Sequence, residues 1–201
     1  MPSVAVPPAR WVRWVENFEV GHGRTTYTVS EGAVTGRAED GSYFSARLPF
    51  GATYDGPADA AAFGDAVAHP GRWGVLLVRK GGFAIARLAG ERVEESKVGQ
   101  RHVQGRTKAG GQSQQRFARR RDNQARQAYE AAADHAARIL TGSLPVVTGG
   151  DHAAVEAVLS DRRLAGVSVV DPWLPVPDPR RATLDAAIAE AAAIRLDVTN
   201  A

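Results

Sequence analysis

The tripeptide Gly110-Gly111-Gln112 offers the most specific chemistry in the chain. Two adjacent glycines let the backbone take φ > 0 conformations that other residues avoid, so a peptide group can approach a ligand closely. The glutamine contributes a carboxamide, an uncharged donor and acceptor. At a helix start it would stand beside backbone N–H groups that lack intrahelical partners. Such a tip can bind a developing oxyanion and place a water, but it holds no strong base and no nucleophile. This suits hydrolysis of an activated ester better than of an amide.

The residues around the tripeptide are basic. Between 101 and 121 stand Arg101, Arg106, Lys108, Arg116, Arg119, Arg120 and Arg121, and no acid. The net charge of +3 is concentrated in this window, and the remainder of the chain is slightly acidic. Lysine occurs only at 80, 97 and 108, so the bases are nearly all arginines, which favour planar, bidentate contact with phosphate. The pattern points to a polyanion partner. A solvated helix face would carry the same residues.

Several chemistries are excluded or disfavoured. The absence of cysteine removes disulfides, thiolate metal sites and cysteine nucleophiles. The five histidines (22, 69, 102, 135 and 152) form no metal-ligand spacing, so neither metal nor cofactor is expected. No run of 18 apolar residues occurs, and the first residues lack a signal-peptide layout, so a cytoplasmic protein with no membrane span is expected. An apolar fraction of 44% and a charged fraction of 23% are those of a folded chain, and 201 residues suffice for one domain with an extension.

The elements that must position the tripeptide follow from periodicity. Trp11, Val15 and Phe18 lie at helical spacing in 9–20. Alternating segments at 25–32, 33–40 and 42–50 read as strands, with Asp40-Gly41 as a hairpin turn. A short helix is expected over 58–68. Segments 73–81, 83–90 and 91–98 read as an antiparallel meander whose best-buried part is Val75–Val78. A loop over 99–112 follows, longer than packing requires. Ser113 would open the longest helix, to about 141, with Phe117 and Tyr129 on its apolar stripe and Asp122 and Glu130 on its surface. Then come a strand at 145–149, a helix from Asp151 as N-cap to about 160, a strand at 167–171, a proline-rich loop and a helix over 181–195. Trp11, Trp14 and Trp73 read as packing residues; Trp173 and His102 carry no assignment. The fold class is α/β, with a mixed sheet covered by helices. The expected domains are an N-terminal helix and β extension over 1–70, packed on a main domain over 71–201.

The block Lys108, Gly110, Gly111, Gln112, Ser113, Arg116, Phe117, Arg119 and Arg121 resembles the GGQ loop and following helix in the middle domain of eukaryotic and archaeal class-I release factors. The likeness runs upstream through the meander at 74–94 and more weakly downstream to about 171. With no recognisable stop-codon-reading domain and no domain for a partner GTPase, the chain looks most like the Vms-like release factors (VLRF) of the compact actinobacterial type. That resemblance implies a ribonuclease-H-like α/β domain and a codon-independent peptidyl-tRNA hydrolase acting on stalled or split ribosomes. It also implies roles: Gln112 at the ester carbonyl, Gly110 and Gly111 shaping the loop, and Arg101, Arg106, Lys108, Ser113, Arg116, Arg119, Arg120 and Arg121 on RNA. The implied partners are the large ribosomal subunit and peptidyl-tRNA, with no DNA and no membrane, and the protein is expected as a monomer. Two alternatives remain at this point: a tRNA 3′-end endonuclease of the same family, and a non-catalytic ribosome- or tRNA-binding module.

Overall fold

The computed structural model describes residues 3–100 and 112–201, with side chains throughout these except over 112–125. In chain order the elements are β1 (Ser3–Val6), α1 (Trp11–His22), β2 (Thr25–Ser30), β3 (Ala33–Ala38), β4 (Tyr43–Arg47), α2 (Ala60–Asp65), β5 (Arg72–Arg79), β6 (Gly82–Ala89), β7 (Arg92–Gln100), α3 (Gln112–Ile139), β8 (Leu144–Gly150), α4 (His152–Leu159), β9 (Val167–Leu174), α5 (Arg181–Ala191) and β10 (Ile194–Thr199). The fold is mixed α/β, with two five-stranded sheets. Two compact units divide the chain, Met1–His69 with Ile188–Ala201, and Pro70–Ala187. Among the described residues no helix is long and apolar enough to cross a membrane.

In the first unit the strand order is β1-β10-β4-β3-β2, antiparallel throughout. The 4- and 3-residue spacing of Trp11, Val15 and Phe18 puts all three on the buried face of α1. There Trp11, Trp14 and Phe18 meet the fully buried Phe44 of β4 edge-on, at ring distances of 5.9, 5.0 and 5.1 Å. Gly36, opposite Phe44 in register, makes the room, since a Cβ there would lie 2.5 Å from the ring. The buried indole of Trp11 donates from Nε1 to the Ala60 carbonyl at 2.6 Å. Asp40-Gly41 forms the expected hairpin turn: Gly41 takes φ +93°, and the Asp40 carboxylate accepts from the Ser42 N–H at 2.8 Å.

The C-terminal end corrects the sequence reading. The helix expected over 181–195 stops at Ala191, and Ile194–Thr199 forms β10, inserted between β1 and β4. Ile194 and Leu196 are fully buried there. Ile194 to Thr199 alternates apolar and polar, but the alanine-rich run before it carries a strong helix preference that masks this short signal. Residues 188–201, expected in a domain spanning 71–201, therefore count with the first unit. β1, which lacks a local signal, pairs with β10.

In the second unit the order is β7-β6-β5-β8-β9. β5, β6 and β7 form the antiparallel meander, and β8 and β9 add in parallel to β5 and to each other. β5 is buried from Trp73 to Val78, as a central strand must be. One sheet face, with Leu76, Val78 and Ile85, packs against Ala132, Ala136 and Ile139 of α3 and Val155 and Val158 of α4. Alanines let α3 lie close, and Gly74 gives way to Leu140, which a Cβ there would meet at 2.5 Å. Asp151 caps α4 by accepting from the Ala153 and Ala154 N–H groups at 3.1 and 3.4 Å, as its position predicts. β9 runs on through Pro172 to Leu174, past the expected end at Asp171; it is the edge strand, where a residue without an N–H is tolerated. This places Trp173, whose ring stacks on His152 at 3.6 Å and 10°.

Candidate functional site

The tripeptide lies where β7 gives way to α3. Gly110 and Gly111 are outside the described residues, as are Arg101, Arg106 and Lys108. Gln112 is the first residue of α3, so the helix opens one residue before Ser113, the expected start. Arg116, Arg119, Arg120 and Arg121 follow within its first three turns. Neither glycine nor proline occurs between Gln112 and Ile139, and alanine, arginine and glutamine dominate, which is why one helix runs unbroken for 28 residues.

That length matters for position. At 1.5 Å per residue α3 measures about 42 Å. Ala128 is the first buried residue among its described side chains, followed by Ala132, Ala133, Ala136 and Ile139. Gln112 precedes Ala128 by sixteen residues, about 24 Å along an ideal axis.

Charge is arranged unevenly along the same layer. Near the C-terminal end of α3, Arg87 donates to the Ile139 carbonyl at 2.8 Å and pairs with Glu94 at 3.1 Å. Arg138 pairs with Glu95, and Arg72 and Arg92 also reach Glu94. The Arg87 hydrogen bond, with Arg72 beside it, holds the Glu94 carboxyl below the usual carboxylate range. Toward the other end Lys97 and Arg126 are exposed, and neither forms an ion pair among the described residues.

Between α3 and the ends of β6 and β7 lies a cleft of about 210 Å³, lined among others by Phe83, Gln100, Tyr129 and His135. Burial, and secondarily the Asp151 carboxylate, push the half-buried Tyr129 phenol up, so its hydroxyl keeps its proton at neutral pH. Sequence reasoning took Tyr129 for core and missed the cleft; Gly82, and Gly99 opposite Phe83 in register, were its one local sign. Among the described residues no group of three or more His, Asp and Glu is placed to hold a metal ion.

Residues 71–197 match the acVLRF1 family, the Actinobacteria/chloroflexi VLRF1 release factors. The chain belongs to this family. No curated protein matches it in sequence. Among solved structures it is similar to the Vms1 mitochondrial localization core, with a TM-score of 0.43 and 12% identity over 81% of this chain and 75% of that one. It is also similar to the archaeal translation termination factor aRF1, with a TM-score of 0.37 and 14% identity over 94% of this chain and 66% of that one. The VLRF1 match takes in the whole of the mixed sheet and α3, and continues into β10. Gly110, Gly111 and Gln112 fall within it.

Proposed function

We propose that this VLRF1 family member is a codon-independent peptidyl-tRNA hydrolase that frees nascent chains on stalled or split ribosomes. The observation that carries the reading is a Gly-Gly-Gln tripeptide, inside the family match, whose glutamine heads a 28-residue helix. Water adds to the carbonyl carbon of the ester between peptide and terminal ribose. The bond from that carbon to the ribose oxygen breaks, leaving a carboxyl on the peptide and a hydroxyl on the tRNA. Gln112 positions the water and supports the charge that develops on the carbonyl oxygen. Gly110 and Gly111 shape the tip, and the terminal ribose and ribosomal RNA complete the site.

The basic residues bind without reading sequence. Arg116 and Arg120 are one helical turn apart, a spacing that can track successive phosphates, and Arg119, Arg121 and Ser113 extend the contact. Arg101, Arg106 and Lys108 fasten the preceding segment to the same RNA. Affinity therefore falls steeply with salt. The partners are the large ribosomal subunit and peptidyl-tRNA, met in the cytoplasm by a monomer.

The test compares wild type with Gln112→Ala on stalled ribosome–nascent-chain complexes, mapping tRNA ends in the same tube. Release that depends on Gln112 and leaves an intact CCA end supports ester hydrolysis. Equal release by both proteins rejects it, and a shortened tRNA assigns the tip to phosphodiester cleavage.

A further inference from the structure

We infer that the cleft between α3 and β7 is a pocket for one unpaired RNA nucleotide, a second RNA contact of the same unit. The inference rests on the RNA-facing role proposed above and adds a site to it. Small residues make the hollow. A Cβ on Gly99 would lie 2.4 Å from the Phe83 ring, and one on Gly82 would lie 2.8 Å from the Gly99 carbonyl, so both positions must stay bare for the ring to lie across the strand. On the helix side Ala131 leaves the space open.

The walls suit a flat ring. Phe83 and His135 stand 5.5 Å apart and tilted by 32°, and Tyr129 shares the lining. Unpaired bases stack on such side chains without regard to sequence. The Tyr129 hydroxyl and Gln100 carboxamide supply hydrogen-bonding groups for a base edge.

The rim suits a phosphate. Lys97 is exposed and free of ion pairs among the described residues, and Arg79 is held beside the cleft by donating to the Val176 carbonyl at 2.8 Å. No acidic residue lines the cleft. The groove between α3 and α4 differs in kind: Glu130, Asp134 and Asp161 line it together with Arg126 and Arg163, and Arg163 is taken up by both aspartates at 2.7 Å. Rings inside, cations outside and no acid describe a nucleotide better than an apolar protein side chain, which has no use for the two cations.

The experiment uses the full chain and a single-stranded hexaribonucleotide carrying 4-thiouridine, crosslinked by light and mapped by mass spectrometry. Crosslinks to the peptides bearing Phe83, Tyr129 or His135 are expected. Ala131→Leu, which fills the hollow, should lower their yield and the affinity about tenfold at an unchanged melting temperature. Lys97→Glu, on the exposed rim and harmless to folding, should weaken binding several-fold and flatten its salt dependence. Crosslinks confined to 101–126, or an affinity indifferent to both substitutions, overturns the assignment and leaves the cleft to an apolar side chain of a protein partner. The readout does not pass through ester cleavage. Pocket crosslinks that fail beside intact Gln112-dependent release sink the pocket alone, and pocket crosslinks beside Gln112-independent release sink the hydrolase reading alone.

Discussion

The two units solve different problems with different residues. The first carries six Lys and Arg against ten Asp and Glu, and the second nineteen against twelve. Nine of the fourteen aromatic residues are in the first, where rings on α1 close edge-on around Phe44. The second has a leaner core of branched aliphatics and helical alanines; arginines pair with carboxylates near the C-terminal end of α3, whereas Lys97 and Arg126 form no ion pair among the described residues. A ring-packed acidic body has little to attract a polyanion; the basic unit has the charge and the long helix. On the proposed function, RNA contact falls to the basic unit and not to the ring-packed one.

Substitutions can break that division or sharpen it. The largest expected effect is chemical: Gln112→Ala should cut the release rate on stalled complexes by about 10²–10³, the scale for loss of one oxyanion-stabilising donor, with no change in thermal unfolding. Unfolding that shifts along with the rate would mean the glutamine is structural. Phe44→Ala should cost about 3–5 kcal/mol in denaturant unfolding, because the rings around it cannot close the gap. A loss below about 1 kcal/mol would deny the ring cluster its part. Gly149→Ala should cost about 1–3 kcal/mol, since its Cβ would fall 2.2 Å from the Leu174 carbonyl and push β8 from β9. Asp151→Ala should cost about 1 kcal/mol by uncapping α4, and Asp151→Asn should restore most of it, both read from urea midpoints.

The smallest effect is a pH dependence. Hydrogen bonds from Arg163 lower the Asp161 carboxyl to about 2. A depressed carboxylate contributes stability above its unfolded value, near 4, and loses it as pH falls through the folded value. The difference in melting temperature between wild type and Asp161→Asn should therefore be constant above about pH 5 and fade between about pH 4 and pH 2. A difference that persists below pH 2 would show that the exposed pair acts by packing, not charge.

Features governed by near neighbours were legible beforehand. The stripe of Trp11, Val15 and Phe18, the Asp40-Gly41 turn, the buried run of β5, the Asp151 cap and the long helix from the tripeptide each depend on a few adjacent residues. Of the site, the motif and its place at a helix head could be read. The cleft could not, because it is made of backbone left bare at Gly82 and Gly99 meeting a helix face some thirty residues on. Pro172 misled because a proline says nothing of whether its strand has a neighbour on each side.

By itself the sequence determined the order of elements between α1 and α5, the basic charge around Gln112 and the long helix that opens there, because propensity, periodicity and capping act within a few turns of chain. Only the tertiary structure decided that Ile194–Thr199 leaves the unit it follows and lies between β1 and β4, pairing with residues about 190 and about 150 positions away. A strand's partner is chosen by which open edge and which apolar face remain when the sheet assembles, and no window of sequence contains either.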